Sequence, residues 1–593
     1  MPHRKTSLGP GPGRAGVPFA TALRRSFAQG YDATRLRKDA LAGIVVGIVA
    51  LPLSMALAIA VGVPPQQGLY TAIVAGAIIA LTGGSKHQVS GPTAAFIVIL
   101  APIASKFGLS GLLTAGLMAG VLLIAMGVAR MGAFIEFIPH PVTTGFTTGI
   151  ATVIATLQIK DVFGLPVGKL PDSYVEKVRA LWEARSGASW AEVGVAATTL
   201  LLLLLWPRVT RSIPAPLVAI GLVAVGATAL AHAVPGFHIA TIGSRFHTTV
   251  DGREIAGIPQ IPPLPRLPWR DASMSFGRIR ELLPAALAIA MLGAIESLLS
   301  AVIADAMTGK KHDPNAELVG LGLGNVVAPF FGGIAATGAL ARTATNIRAG
   351  ATSPVAAVVH ATTVLLAVLA AAPLVAYVPM AALAALLLLV AWNMSEVRHF
   401  AHTLRVAPRS DAAVMVICFF LTVVFDMVVA IGVGVVLAAL LFMKRMSELT
   451  RSRILAPASQ EDENRAMPPG VVIYEIAGPL FFGAAQRAMG ALETAGASAQ
   501  VVILALGGVP IIDATGLVAL ESAIERLRVA RKRVVIAGPL PEPREVFEKA
   551  NLAVSHDHVS VAESLDRALD LARHLASRTA DDTKSPLPSV RPA

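Results

Sequence analysis

Apolar runs dominate the chain from Leu41 to Phe442, and short alternating elements replace them after Arg453. Residues 41–63, 112–128, 198–206, 217–233 and 381–392 are runs that belong in lipid rather than in a soluble core. The pattern predicts about fourteen helices, several too short to span alone. Residues 160–194 and 237–280 are more polar and should be loops carrying surface helices. The second is Pro-rich around Pro259, Pro262, Pro263 and Pro265, poor helix sequence, and forms a natural midpoint before a helix starting near Leu282.

Two corresponding segments interrupt the apolar pattern. Residues 83–95 read Gly-Gly-Ser-Lys-His-Gln-Val-Ser-Gly-Pro-Thr-Ala-Ala, and residues 332–344 read Gly-Gly-Ile-Ala-Ala-Thr-Gly-Ala-Leu-Ala-Arg-Thr-Ala. In lipid, backbone groups freed by such breaks must be satisfied by protein, water or ligand. Paired broken helices near the bilayer midplane mark the binding site of inverted-repeat transporters, and their separation of roughly 245 residues suggests that the halves repeat.

Composition agrees: 54% of the 593 residues are hydrophobic and only 15% charged, against about a quarter charged in soluble proteins. The net charge of +12 does not indicate nucleic acid. Basic residues cluster before the first run (Arg24, Arg25, Arg35, Arg37, Lys38) and after the last (Lys444, Arg445, Arg451, Arg453), as at cytoplasmic faces. Both termini are therefore expected in the cytoplasm, with an even number of spans, and no signal peptide is expected. The single cysteine, Cys418, lies in an apolar run as a packing residue.

The organisation read from these patterns is a basic segment 1–38, disordered up to Ala20, a membrane domain 39–448, a small α/β domain 455–576 and a disordered tail 577–593. In the α/β domain, residues 471–476, 501–506 and 534–537 are strand-like, whereas 514–528 and 561–576 have helical spacing. No Gly-rich phosphate loop, zinc spacing or nucleophile constellation appears, so neither enzymatic activity nor a metal site or organic cofactor is expected.

Leu69-Tyr70, Ser90-Gly91-Pro92-Thr93-Ala94, Lys311-His312 with Asn315, Glu317-Leu318 and Gly324-Asn325 together resemble the SulP (sulfate permease) family of anion transporters. Residues 509–517, with Asp513-Ala514-Thr515-Gly516, resemble that family's STAS domain. Within the family, residues 293–299, 307–312, 346–354 and 392–396 resemble bacterial carriers of C4-dicarboxylic acids. The resemblance implies a seven-plus-seven inverted repeat, a core domain moving against a gate domain in an elevator-like motion, a homodimer, and a bacterial inner-membrane location. It also implies a cytoplasmic protein partner for the STAS domain.

Physical reading assigns the candidate residues. Pro92 suits the first turn of a short helix, leaving Ser90, Gly91, Thr93 and Ala94 at an N-terminus that favours anions. Arg342, flanked by Ala341 and Thr343, costs about 2.5–3.5 kcal/mol within a span and so requires a partner or an anion; its fork suits a carboxylate or other oxyanion. The resemblance places such an arginine beside the anion site; the alternative is a static pair with a buried acid. Glu296 lies in an apolar helix and is a candidate proton carrier, the alternative being a static partner of Arg342 or Lys310. Sodium-coupled relatives carry a threonine hydroxyl where this chain has Leu340, although Ser300 lies one turn from Glu296, so protons are favoured over sodium as coupling ion.

Lys310, Lys311, His312, Asp313 and Glu317 look like an interfacial network, Asp305 pairs with Lys310 in this reading, Asp426 marks a helix boundary, and Lys86 and His87 sit at the membrane face. Thr515 matches a position that is a phosphorylatable serine in stand-alone STAS relatives; the alternative is an ordinary N-cap. The expected function is proton symport of a small dianion, a C4-dicarboxylate such as succinate, fumarate or aspartate. Sulfate or bicarbonate symport on the same fold is the alternative, and an anion channel or a receptor signalling through the STAS domain is the rival of another class.

Overall fold

The computed structural model describes residues 18–582 except 134–138, 169, 172, 211–212, 251–252, 270–274, 426, 456–468, 496–498 and 553–557. The expected boundary at Asp426, most of the Gly/Pro-rich start and the end of the tail lie outside these residues. The chain divides into two compact units, Met1–Val436 and Leu437–Ala593.

The first half of the membrane unit contains α1 (Thr21–Ala28), α2 (Ala33–Val61), α3 (Pro65–Thr82), β1 (Ser90–Gly91), α4 (Phe96–Val128), α5 (His140–Val162), α6 (Tyr174–Glu183), α7 (Trp190–Val209) and α8 (Ala215–Ala233). A connection follows with α9 (Ile242–Arg245), β2 (His247–Val250) and β3 (Arg253–Ala256). The second half holds α10 (Phe276–Thr308), α11 (Pro314–Val327), β4 (Thr337–Gly338), α12 (Leu340–Arg348), α13 (Val355–Val375), α14 (Met380–Ser395), α15 (Val397–Val406), α16 (Arg409–Val424) and α17 (Met427–Leu449), the last running into the second unit.

Local chemistry sets several of these ends. The side chains of Asp32, Ser275 and Asp313 accept from the backbone N–H groups of Arg35, Arg278 and Ala316 at the starts of α2, α10 and α11. Gly62 and Gly309 close α2 and α10 in the left-handed region, which glycine enters without steric cost. α4 is two helices joined at Gly108, whose φ of 69° breaks the helical path.

Among the described residues, nine helices are long and apolar enough to cross a membrane. Counting α4 as two arms and adding the shorter α3, α11, α12 and α16 recovers the fourteen segments, seven in each half. Exposed Leu204, Leu222, Val225 and Leu366 give α7, α8 and α13 apolar outer faces suited to lipid.

The packing repeats as the sequence suggested. α2 packs on α13 as α10 packs on α4, α3 on α13 as α11 on α4, and α7 on α14 as α16 on α5. α3 meets α11, α5 meets α14, and β1 pairs antiparallel with β4. Related segments that pair antiparallel are what an inverted repeat requires. The contacts also sort the helices into a core group (α2, α3, α4, α10, α11, α12, α13) and a gate group (α5, α7, α8, α14, α16).

Three expectations change here. α10 begins at Phe276 rather than near Leu282, because Ser275 caps a polar first turn. The Pro-rich connection contains an antiparallel hairpin, β2 with β3, which Gln66 of α3 reaches by donating to the Thr248 hydroxyl at 3.1 Å. Asp305 pairs with His312 at 2.7 Å rather than with Lys310.

The second unit carries a five-stranded sheet in sequential order, β5 (Arg451–Leu455), β6 (Val471–Ala477), β7 (Val501–Gly508), β8 (Arg533–Ala537) and β9 (Val559–Ala562), with only β5 antiparallel. Alternate strand residues feed opposite faces. Tyr474, Ile476, Val502, Leu504 and Ile536 pack with Met489, Leu520 and Phe547 from α18 (Phe482–Ala495), α19 (Ala514–Val529) and α20 (Pro541–Lys549). Val471, Ile473, Val501, Ile503 and Val535 pack against α21 (Leu565–Asp582). The helix expected over 561–576 is instead β9 followed by α21, because Val559 and Val561 complete the sheet edge beside β8. α21 continues to Asp582, into the segment expected to be disordered.

Candidate functional site

The first break leaves α3 at Thr82 and reaches α4 through β1; the second joins α11 to α12 through β4. They cross where Ser90 opposes Gly338 and Gly91 opposes Thr337. Close approach explains the glycines. A Cβ at Gly84 would lie 2.0 Å from the Asp313 carbonyl oxygen, one at Gly338 2.2 Å from Gln88 Nε2, and one at Gly91 2.5 Å from Arg342 Nη1.

Side chains then fasten the crossing. Asn325 holds the second break locally, its Oδ1 accepting from Ala336 N–H and its Nδ2 donating to Ala336 O, each at 2.8 Å. Thr337 Oγ1 donates to Gly293 O of α10 at 2.9 Å. Thr343 Oγ1 accepts from Val89 N–H at 3.1 Å and from Ser300 Oγ at 3.3 Å, so Thr343 joins the two breaks to α10.

Arg342 is buried, 2% exposed. Its Nη2 donates to the Pro92 carbonyl oxygen at 2.6 Å, while Nε and Nη1 have no partner among the described residues. The Ser90 hydroxyl is likewise buried without a partner. Half-buried Glu296 accepts from Thr93 Oγ1 at 2.9 Å through Oε2. The guanidinium and the carboxyl are thus tied to consecutive residues, Pro92 and Thr93, without being tied to each other. Neither static pairing considered for Glu296, with Arg342 or with Lys310, is formed. Ala94 is buried beside Thr93, whereas Ala341 and Leu340 are exposed at the start of α12.

Pro92 does not open the helix. α4 starts at Phe96, and Pro92 lies between β1 and α4, where its carbonyl accepts from the arginine. The Ser90 and Gly91 backbones face the β4 partners, so fewer free N–H groups remain at the first break than its sequence suggests. The arginine supplies the donors instead.

Between the core and gate groups lies a cavity of about 840 Å³, lined by parts of α2, α4, α5, α10 and α16. Its lining includes Ile97 and Ala288 but none of Thr93, Glu296 and Arg342. Lys106, Lys160, Asp161 and Glu281 give it charged walls.

Sequence reading placed Glu317 in an interfacial network; it is instead buried, 1% exposed, against the first break. Its Oε2 accepts from Gly84 N–H at 2.9 Å and Ser85 N–H at 3.0 Å; its Oε1 accepts from Gln88 Nε2 at 2.8 Å and Ser297 Oγ at 3.3 Å. His87 is also buried, its carbonyl accepting from Asn346 Nδ2 at 2.9 Å, whereas Lys86 donates to Gln29 near the surface. The available signal was the run Gly83-Gly84-Ser85 at a break, whose freed backbone amides, those of Gly84 and Ser85, need a strong acceptor from somewhere. In the second unit Asp513, not Thr515, caps α19, its Oδ1 accepting from Gly516 N–H at 2.6 Å; Thr515 is exposed on the first turn.

A repeat of seven helices with crossed breaks around a buried arginine defines a multi-pass membrane transporter. The chain belongs to the sulfate permease family, whose sequence profile matches residues 36–418, and the STAS domain profile matches residues 465–568. It is 40% identical over 527 residues to the putative sulfate transporter YvdB of Bacillus subtilis, covering 88% of this chain and 95% of that one. It is 29% identical to the bicarbonate transporter BicA of Picosynechococcus, covering 87% of this chain and 91% of BicA. The structure of the murine Slc26a9 anion transporter in its inward-facing state superposes with a TM-score of 0.80 over 94% of each chain; at 19% identity this shows the shared fold.

Proposed function

We propose that this protein imports small anions across a bacterial inner membrane by proton symport, with C4-dicarboxylates such as succinate, fumarate or aspartate as substrates. One observation carries the coupling: Arg342 and Glu296 are anchored to adjacent residues of one break while the arginine keeps two N–H-bearing nitrogens unpartnered. Arg342 and two helix N-termini at roughly +0.5 each supply about +2, which offsets one dianion. An ionised Glu296 would add excess negative charge in a water-poor site, so dianion and proton binding favour each other.

The separate core and gate groups, with a cavity between them, support an elevator-like alternation. Leu340 in place of a cage hydroxyl favours protons over sodium. The dicarboxylate assignment rests on the strings at 293–299, 307–312, 346–354 and 392–396, which resemble the bacterial carrier DauA. A second reading, sulfate or bicarbonate, is favoured by the substrates for which YvdB and BicA are named. The same proposal includes a homodimer and regulation through a STAS partner and Thr515.

The test is uptake of labelled succinate, sulfate and bicarbonate into proteoliposomes, with and without an inward proton gradient. Gradient-driven succinate accumulation that is lost in Glu296→Gln supports the whole reading. Flux of sulfate or bicarbonate alone removes the dicarboxylate and keeps the site. Flux indifferent to the gradient removes the symport.

A further inference from the structure

The Glu317 carboxylate lies on α11 and bonds neither the arginine nor the proton-coupling candidate, yet it ties the first break to α10, the two segments that carry their anchors. Its four hydrogen bonds come from Gly84, Ser85, Gln88 and Ser297. Three of these donors belong to the first break, which continues to Pro92 and Thr93. The fourth is the neighbour of Glu296 on α10. Gln88 Nε2 also donates to Ser297 Oγ at 2.6 Å, so the break and α10 are joined twice at one point.

The connections form a closed ring. From Glu317 one path runs through Gln88 along the chain to Thr93, then by the 2.9 Å hydrogen bond to Glu296. The other runs through Ser297 directly to Glu296. Among the described residues, no cationic side chain donates to Glu317. A buried carboxylate with four neutral donors is held by geometry, and donors converging on one charge fix each other's positions.

We propose that Glu317 is a positioning residue for coupled transport: it sets the distance between the Glu296 carboxyl and the Pro92-Thr93 segment that anchors Arg342, so that one anion meets both. This inference rests on the proton-symport reading. Without the Glu317 clamp, the Gln88–Ser297 and Thr93–Glu296 hydrogen bonds must hold the first break to α10 with less support, the anion binds a looser site, and its binding senses Glu296 less. A carboxylate needed only for folding would change the amount of inserted protein and nothing else.

The experiment measures anion KM, turnover per inserted transporter and proton-gradient stimulation in proteoliposomes for Glu317→Gln, Glu317→Asp and Ser297→Ala, with Glu296→Gln alongside. The amide of Glu317→Gln turns an N–H₂ towards donors, so KM should rise roughly tenfold, as expected from losing charge-assisted hydrogen bonds, and gradient stimulation should fall. Glu317→Asp should restore part of both. Ser297→Ala cuts only the α10 path, so it should lower gradient stimulation more than it raises KM, and it carries the test should Glu317→Gln fail to insert.

Native KM and native stimulation in Ser297→Ala, and in whichever Glu317 variants insert, overturn the inference when Glu296→Gln has lost its stimulation. If Glu296→Gln keeps its stimulation, the symport reading itself fails, and the KM values alone then decide whether Glu317 positions the anion site.

Discussion

The middle of α10 and the first turn of α11 each present one glutamate to the first break, and the two carboxylates live differently. Glu296 is half-buried with a single donor, the Thr93 hydroxyl. Glu317 is 1% exposed with four donors, two of them backbone amides. A carboxyl with a single donor, the Thr93 hydroxyl, can be replaced at the cost of one hydrogen bond. One that gathers four buried donors cannot be replaced without orphaning several of them. The same residue type therefore serves as a moving part on one helix and as a fixed one on the next, and the donor count separates the roles.

The sharpest way to break this contrast is stability. Glu317→Ala leaves the Gly84 and Ser85 amides without their acceptor, at about 1–3 kcal/mol each before relaxation, and should lower the unfolding temperature in detergent far more than Glu296→Ala. Equal losses would erase the distinction.

Next comes function. Glu296→Gln should abolish proton-gradient stimulation while still binding the anion in a titration, because Arg342 is untouched. Gly91→Ala tests the arginine side: its Cβ would sit 2.5 Å from Arg342 Nη1, so KM should rise several-fold with the expression level little changed, since a long side chain can shift. The smallest effect belongs to Thr93→Val. It removes the one hydrogen bond to Glu296, worth about 0.5–1.5 kcal/mol, and should shift the acid activation of uptake without removing it.

Hydropathy made the helices, the repeat and the pair of breaks legible, because lipid forces long apolar runs and punishes open backbone. Arg342 and Glu296 stood out as charges in apolar helices. Glu317 did not, because it follows the polar stretch Lys310–Asp313 and its backbone donors lie more than 230 positions away in sequence. Pro92 misled for a local reason: proline favours a helix start, but here the helix starts only at Phe96 and Pro92 offers its carbonyl to Arg342. In the second unit, Val559 and Val561 fit a strand edge as well as a helical stripe, and only pairing with β8 decides between them.

The central claim is that anion and proton cross together because Arg342 and Glu296 share one break. Its most direct test is to add anion outside proteoliposomes at equal pH on both sides, with valinomycin and potassium clamping the potential, and to follow external pH with an impermeant dye. The account predicts alkalinisation that tracks labelled anion uptake in the native protein and disappears in Glu296→Gln. Anion entry with no accompanying proton movement would contradict it.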